Sequence, residues 1–250
     1  MNIQEISDYI IVNSGIIKIN SKDIKSGDIF VTLEGKKQNG SFYIQDAIDN
    51  GAYYIITNKL INNKIINKKI IIVKDIPNFL LAVAKKKREL FTGKVIGITG
   101  SIGKTTLKEN LKYFLEYSFK VSASIKSYNN ILGVTLSLLN MDTNSDYAIF
   151  EMGIKNFYEI RNLTSILKPS QVIITNIYPT HLEKLINLKN IAKEKSDIFN
   201  PDYNKKTKLA ILPNNNKIDK IILDKAYNLK LFKIINFGKN LNSDLRIDKI

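Results

Sequence analysis

Val95-Ile96-Gly97-Ile98-Thr99-Gly100-Ser101-Ile102-Gly103-Lys104-Thr105-Thr106 carries an apolar β run into a glycine turn, and a helical pattern follows from Leu107. This succession is how a protein holds a nucleotide triphosphate. Glycines let backbone N–H groups close around phosphate oxygens, Lys104 supplies a point charge, and the Thr105 hydroxyl can ligate Mg²⁺. The helix behind the turn adds free N–H groups and the positive end of its dipole. Gly100, Ser101, Gly103, Lys104, Thr105 and Thr106 are therefore the candidate phosphate-binding residues. The strict pattern asks for glycine at position 98, which is Ile98 here; the loop glycine is Gly100, so the loop is a shortened one.

Outward from this stretch, short β runs alternate with helical patterns, which predicts an α/β chain. Upstream, β runs are expected at Asp28–Leu33, Ala52–Thr57 and Lys69–Val73, with helices over Phe42–Asp49 and Pro77–Leu90. The polar turn Phe91-Thr92-Gly93-Lys94 marks a domain boundary, giving domains 1–91 and 94–250. Downstream, β runs are expected at Val95–Thr99, Lys120–Ala123, Tyr147–Phe150, Gln171–Thr175, Leu209–Leu212 and Lys230–Phe237. Helices fall at Lys104–Tyr117, Ile131–Leu139, Phe157–Leu167, Leu188–Phe199 and Ile218–Asn228. A doubly wound parallel sheet follows, with ligands at the C-terminal ends of its strands. Ser243–Ile250 reads as a β run just beginning, so this second domain is expected to be incomplete.

The bulk composition narrows the function classes. An apolar fraction of 44% can build real cores, and the absence of cysteine excludes a disulfide framework and thiol chemistry. The first residues lack the basic-then-apolar order of a signal peptide, and no apolar run approaches the about 18 residues of a membrane span. A cytoplasmic protein is expected. The net charge of +15 raises nucleic-acid binding, but the basic residues are mostly dispersed lysines without aromatic interleaving. No nucleic-acid partner is expected. The densest basic run, Lys85-Lys86-Lys87-Arg88, closes a helical pattern, where positive charge complements the dipole.

Other residues gain interest from their place beside the loop. Glu151 follows the apolar run Tyr147–Phe150 and is placed to hold Mg²⁺, though a strand-end surface glutamate is a common feature. Lys195 shares a helical stripe with Leu188, Ile191, Ala192, Ile198 and Phe199, whereas Lys193, Glu194, Ser196 and Asp197 fall mostly off it. A lysine on a buried face must snorkel, pair or change its chemistry. Desolvated, it is partly neutral and can capture CO₂ as a carbamate, a metal-binding anion. His181 lies just past the run Gln171–Thr175; Thr180 and Glu183 form a capping-box pattern that predicts a helix start there. Asn129-Asn130 can cap the following helix or bind substrate. Asn214-Asn215-Asn216 follows another β run, as a turn or an adenine-edge contact.

Together these residues resemble the Mur ligases of peptidoglycan synthesis, and among them the type that adds D-alanyl-D-alanine. Asn20-Ser21-Lys22, Lys25–Val31 and Leu33-Glu34-Gly35 resemble the N-terminal uridine-nucleotide domain, with Asn39-Gly40-Ser41-Phe42 where Asp-Gly-His-Phe is usual. Thr99–Thr106 with Lys108-Glu109, Asn129-Asn130 with Gly133-Val134, Glu151-Met152-Gly153, Glu159-Ile160, His181-Leu182-Glu183 and Lys195 with Ile198-Phe199 resemble the central-domain signatures. The resemblance implies an ATP- and Mg²⁺-dependent ligase joining D-alanyl-D-alanine to UDP-N-acetylmuramoyl-tripeptide through an acyl phosphate. It makes Lys104, Lys195 and His181 catalytic, gives Mg²⁺ to Thr105, Glu151, Lys195 and His181, and places Asn216 near adenine. It gives substrate contacts to Ser21, Asn129 and Asn130, and a monomer is expected.

Several positions depart from the pattern. Lys22 stands for the usual Arg, removing a bidentate fork; Ser41 stands for His, Thr135 for Pro, and Pro213-Asn214-Asn215 for Asn-Ala-Asp. The resemblance also implies a further C-terminal domain, so the 250 residues alone are expected to bind nucleotide poorly and ligate little or nothing. The alternatives are a sibling ligase that adds an amino acid and a non-catalytic nucleotide- or UDP-sugar-binding fragment.

Overall fold

The computed structural model describes residues 3–35, 39–60, 70–230 and 232–246. The chain divides into two compact units, Met1–Phe91 with Leu138–Thr143, and Thr92–Ser137 with Asn144–Ile250.

In the first unit the elements are α1 (Ile3–Val12), β1 (Ile17–Lys18), β2 (Ile29–Val31), α2 (Ile44–Asp49), β3 (Tyr54–Thr57), β4 (Ile70–Ile72) and α3 (Ile76–Leu90). The strands form a parallel sheet in the order β1-β2-β3-β4. Phe30 and Ile55 meet Ile24, Ile44, Ala47 and Ala52 in one apolar cluster. The expected helix over Phe42–Asp49 starts as a 3₁₀ turn, Gly40–Tyr43, capped by the Asn39 side chain. Of the expected run Lys69–Val73, Lys69 lies outside the described residues.

Helix α1, strand β1 and the burial of half the basic run lie outside what the sequence pattern predicts for this unit. Helix α1 buries Ile6, Ile10 and Ile11, the i, i+4 stripe of an amphipathic helix. The basic run at the end of α3 is only half exposed: Lys85 and Lys86 face solvent, while Lys87 and Arg88 are buried. Lys87 Nζ donates to the carbonyls of Ile10, Asn13 and Leu139, so it closes the C-terminal carbonyls of other helices instead of complementing its own dipole. Burial lowers its pKa to about 8, opposed by the charge of Asp142.

The second unit contains β5 (Lys94–Thr99), α4 (Lys104–Leu115), β6 (Val121–Ala123), α5 (Ile131–Asn140, whose last residues belong to the first unit), β7 (Tyr147–Glu151), α6 (Glu159–Leu167) and β8 (Gln171–Ile174). There follow α7 (Leu182–Leu185), α8 (Leu188–Ser196), β9 (Leu209–Pro213), α9 (Lys217–Leu229), β10 (Lys233–Gly238) and β11 (Leu245–Arg246). The sheet order is β11-β10-β9-β8-β5-β7-β6, with parallel pairing throughout. From Val95 to Thr99, β5 is buried on both faces, as a central parallel strand must be. One face presents Ile96, Ile98, Ile149 and Ile173 to Leu107, Leu111 and Leu115 of α4.

The chain leaves β5 toward β6 and β7, then crosses to β8 on the opposite side. β5 therefore sits at the switch point, where doubly wound sheets open a crevice at their strand C-termini. Two boundaries moved for a backbone reason. Tyr158 and Lys230 have φ of +72° and +52°, so α6 starts only at Glu159 and the segment before β10 ends α9 instead of extending the strand. The expected run Ser243–Ile250 contains β11; residues 247–250 lie outside the described ones.

Candidate active site

The turn after β5 has the shape that its glycines demand. Gly100 has φ of +145°, and a Cβ there would lie 1.9 Å from Thr175 Oγ1. Gly103 has φ of +83° and forms the cap of α4 without any side chain to close it. The first intrahelical bond runs from Leu107 N to Gly103 O, 2.9 Å, so the amides of Lys104, Thr105 and Thr106 have no acceptor within the helix. Thr106 is exposed in this first turn. Lys104 Nζ folds back onto Gly100 O and Ser101 O at 2.9 and 3.3 Å. Burial lowers the Lys104 pKa, and the carboxylate of Glu151 opposes the shift.

Glu151 is a buried residue, not a strand-end surface glutamate: it is 2% exposed. Its Oε2 accepts from Thr105 Oγ1 at 2.7 Å and its Oε1 from Asn129 Nδ2 at 2.8 Å. Asn129 is itself held, because its carbonyl accepts from Gly153 N at 2.9 Å. A Cβ on Gly153 would approach Asn129 Cγ to 2.7 Å, which explains why a glycine follows Glu151-Met152. The neighbouring Asn130 caps α5 through Oδ1, which accepts from Gly133 N at 2.8 Å.

These groups open on a cleft of about 240 Å³ lined by Gly100, Ser101, Lys104, Asn129, Asn130, Gly153, Ile154, Lys155, Glu159, Thr180, His181 and Lys195. Lys195 does not snorkel; it is 1% exposed on α8. Burial and the nearby positive charge of Lys104 lower its pKa to about 7, against the pull of Glu194. His181 enters the cleft from the segment after β8, at φ of +57°. Thr180 does not form the expected capping box. His181 occupies the cap position of α7, no side chain caps that helix, and Thr180 Oγ1 points 3.5 Å from Ser101 Oγ. His181 Nδ1 lies 4.0 Å from Glu183.

Of the expected site residues, Gly103, Thr105, Thr106 and Glu151 adjoin this lining through the loop, α4 and Asn129 without being part of it, and Asn216 and Ser21 are not part of it either. Asn216 caps α9, its Oδ1 accepting from the amides of Ile218 and Asp219. Ser21 lies buried in the first unit, where its carbonyl accepts from Asn50 Nδ2 at 3.0 Å. Thr135, which stands where proline was expected, bonds its hydroxyl to Ile131 O at 2.8 Å, so the hydroxyl is satisfied inside α5.

Family comparison decides what scaffold this is. The model described as Mur ligase middle domain matches residues 98–250, and that described as Mur ligase family, catalytic domain, matches residues 14–88. The chain belongs to the Mur ligase family. It is 41% identical over 236 residues to the UDP-N-acetylmuramoyl-tripeptide–D-alanyl-D-alanine ligase of Rickettsia prowazekii, covering 94% of this chain and 52% of the relative. The enzyme of the same name from a Synechocystis species is 29% identical, with 95% and 51% covered. Among solved structures, the Thermotoga maritima MurF ligase in complex with ADP matches with a TM-score of 0.73 at 30% identity, covering 92% of this chain and 51% of that one. A MurF structure from Acinetobacter baumannii matches with a TM-score of 0.77 at 27% identity, covering 94% and 49%. The chain spans about half the length of the curated relatives it matches.

In this Mur ligase chain the structure adds residues that sequence reading passed over. Thr175, Asn176 and Tyr178 fasten the glycine turn after β5 from the side of β8. Glu194 is 5% exposed, and its Oε1 accepts from Ile160 N at 3.2 Å, so the residue before Lys195 ties α8 to the start of α6. Desolvation raises the Glu194 pKa, with the amides of Tyr158 and Ile160 opposing. The helical stripe hid it: α8 is buried over more than one face, which a 3.6-residue period cannot show.

Proposed function

We propose that this chain supplies the UDP-substrate and ATP domains of a ligase joining D-alanyl-D-alanine to UDP-N-acetylmuramoyl-tripeptide. The observation that carries this reading is the hydrogen-bonded set Thr105–Glu151–Asn129 beside an uncapped glycine loop, whose Asn129 lines one cleft with Lys104, Lys195 and His181. The names of the relatives supply the substrates.

The residues fit the cofactors. Gly100 brings the loop backbone against Thr175 where a Cβ would clash, Gly103 caps α4 with no side chain to occupy its amides, and three amides without a helical acceptor are what an anion site at a helix start uses. Thr105 and Glu151 put two hard oxygen donors side by side, the few protein ligands that Mg²⁺ accepts alongside phosphate and water. When bound, Mg²⁺ would neutralise charge on the phosphate oxygens. Lys104 releases Gly100 O and Ser101 O to meet the phosphates. The neutral form of Lys195 can attack CO₂, forming an N–C bond and losing one proton; the resulting carbamate presents oxygen donors where an ammonium stood. His181 lines the same cleft.

In the proposed reaction, a carboxylate oxygen of the tripeptide attacks the γ-phosphorus of ATP and ADP departs. The amine of D-alanyl-D-alanine then attacks the acyl carbon, phosphate leaves, an amide forms, and the amine loses its proton to solvent or base. Catalysis rests on positioning and on stabilising phosphoryl charge. The proposal includes a cytoplasmic monomer; no helix among the described residues is long and apolar enough to cross a membrane.

A chimera tests the reading. This chain is joined to the part of the Rickettsia prowazekii relative that lies beyond the match, and ADP release is measured. Release requiring both UDP-N-acetylmuramoyl-tripeptide and D-alanyl-D-alanine is expected. Release with a diamino acid in place of the dipeptide would instead point to a sibling ligase. UDP-ligand binding without ADP release in any combination would point to a binding module.

A further inference from the structure

We infer that Asn176 is a positioning residue that holds the phosphate loop in its binding shape before any nucleotide arrives. The inference rests on reading the cleft as a nucleotide site. A shortened glycine loop has few internal bonds to keep its amides converging, so its shape must come from a neighbour. The neighbour is β8, which lies beside β5 in the sheet.

Immediately past β8, Asn176 grips two successive residues of the loop. Its carbonyl accepts from Ser101 N at 3.1 Å. Its side-chain Oδ1 accepts from Ile102 N at 2.9 Å, and its Nδ2 donates to Ile102 O at 3.0 Å. The carboxamide thus pairs with the N–H and C=O of one residue, the two-bond geometry a neighbouring strand would offer. Thr175 Oγ1 adds a bond to Ile102 O at 2.7 Å. The Ser101 hydroxyl is engaged too: it donates to Tyr178 O at 3.0 Å and accepts from Tyr178 N at 2.9 Å. Its oxygen is therefore committed to this brace as well as standing in the phosphate loop.

The chemistry of the brace follows from what is left over. The amides of Ser101 and Ile102 are spent on Asn176, while those of Lys104, Thr105 and Thr106 have no acceptor within the helix. Fixing the two residues on the strand side of Gly103 fixes the direction of the helix start on the other side. A preformed loop avoids the ordering cost that a floppy one would take out of nucleotide affinity. The same bonds tie the loop to the segment that delivers His181.

The experiment uses this chain, without nucleotide first. Amide hydrogen exchange at Ile102 is compared in the wild type, Asn176→Ala and Asn176→Asp, with urea unfolding as the fold control. Losing the side-chain acceptor in Asn176→Ala is expected to speed exchange at Ile102 by about tenfold. Asn176→Asp keeps an acceptor for Ile102 N but replaces the Nδ2 donor with a carboxylate oxygen that faces Ile102 O, so its exchange at Ile102 is expected to be faster than in the wild type as well. MgADP affinity is expected to fall by about tenfold in Asn176→Ala, with the unfolding midpoint nearly unchanged. In Asn176→Asp affinity also falls, because a carboxylate stands beside the phosphates. Equal Ile102 exchange in wild type and Asn176→Ala would overturn the proposal whether or not nucleotide binds. Wild-type exchange at Ile102 in Asn176→Asp would overturn the carboxamide-pairing argument, because the Nδ2 donor would then be dispensable. A wild-type chain with a protected Ile102 amide and no nucleotide affinity would support the brace and count against the nucleotide reading.

Discussion

At the scale of single residues the site is a set of polar groups with little freedom left. Glu151 meets Thr105 and Asn129, and Asn129 is wedged against Gly153. A methyl on Gly153 must displace Asn129 or the strand, so Gly153→Ala is expected to destabilise the fold by about 1–3 kcal/mol in urea unfolding. A change under about 0.5 kcal/mol would mean that the contact relaxes freely. Lys195 offers a test with a definite sign. Its pKa is about 7 in the folded chain and near 10.4 when unfolded. Between those values the unfolded chain binds more protons, so stability through this group rises with pH from about 7 to about 10 and is lowest below 7. Lys195→Met is expected to flatten that rise, seen as a shrinking difference in urea midpoint between the variant and the wild type as pH increases. A difference that stays constant from pH 6.5 to 9.5 would contradict the burial of a titrating amine. The place of Lys195 was legible in the sequence because it shares a stripe with Ile191 and Ala192. The burial of Glu194 was not, since its neighbours come from α6 and nothing local announces them.

At the scale of elements, hydrophobic period and turn residues located most helices and strands, and their ends shifted where the backbone turned left-handed. Lys230 closes α9 at φ of +52°, a conformation that glycine adopts without strain. Lys230→Gly is therefore expected to stabilise the protein by about 1 kcal/mol in thermal or urea unfolding. A loss of stability would show that the lysine side chain contributes more than its backbone costs. The false capping box at Thr180-Glu183 has a similar origin. A Thr-x-x-Glu pattern carries no information about the Ser101 hydroxyl that holds the preceding segment elsewhere. Helix α1 was missed although its isoleucines repeat at helical spacing, and the burial of Lys87 was missed because its three carbonyl partners come from distant segments.

At the scale of the whole molecule, the glycine-Lys-Thr turn and the alternation of β runs with helices were enough to reach a doubly wound parallel sheet. The sheet order itself, with β5 at the switch point between β7 and β8, came only from the structure. That order explains why Glu151, Asn176 and His181, far apart in sequence, converge on one loop. We propose that this loop and its neighbours bind the phosphates of a nucleotide with Mg²⁺. The most direct measurement is equilibrium binding of ATP to this chain at millimolar concentrations, with and without Mg²⁺, in the wild type and in Lys104→Met. Weak, saturable, Mg²⁺-dependent binding is expected, falling by more than about tenfold when the lysine charge is removed. Binding that is indifferent to Mg²⁺ and to Lys104, or no binding at all, would contradict it.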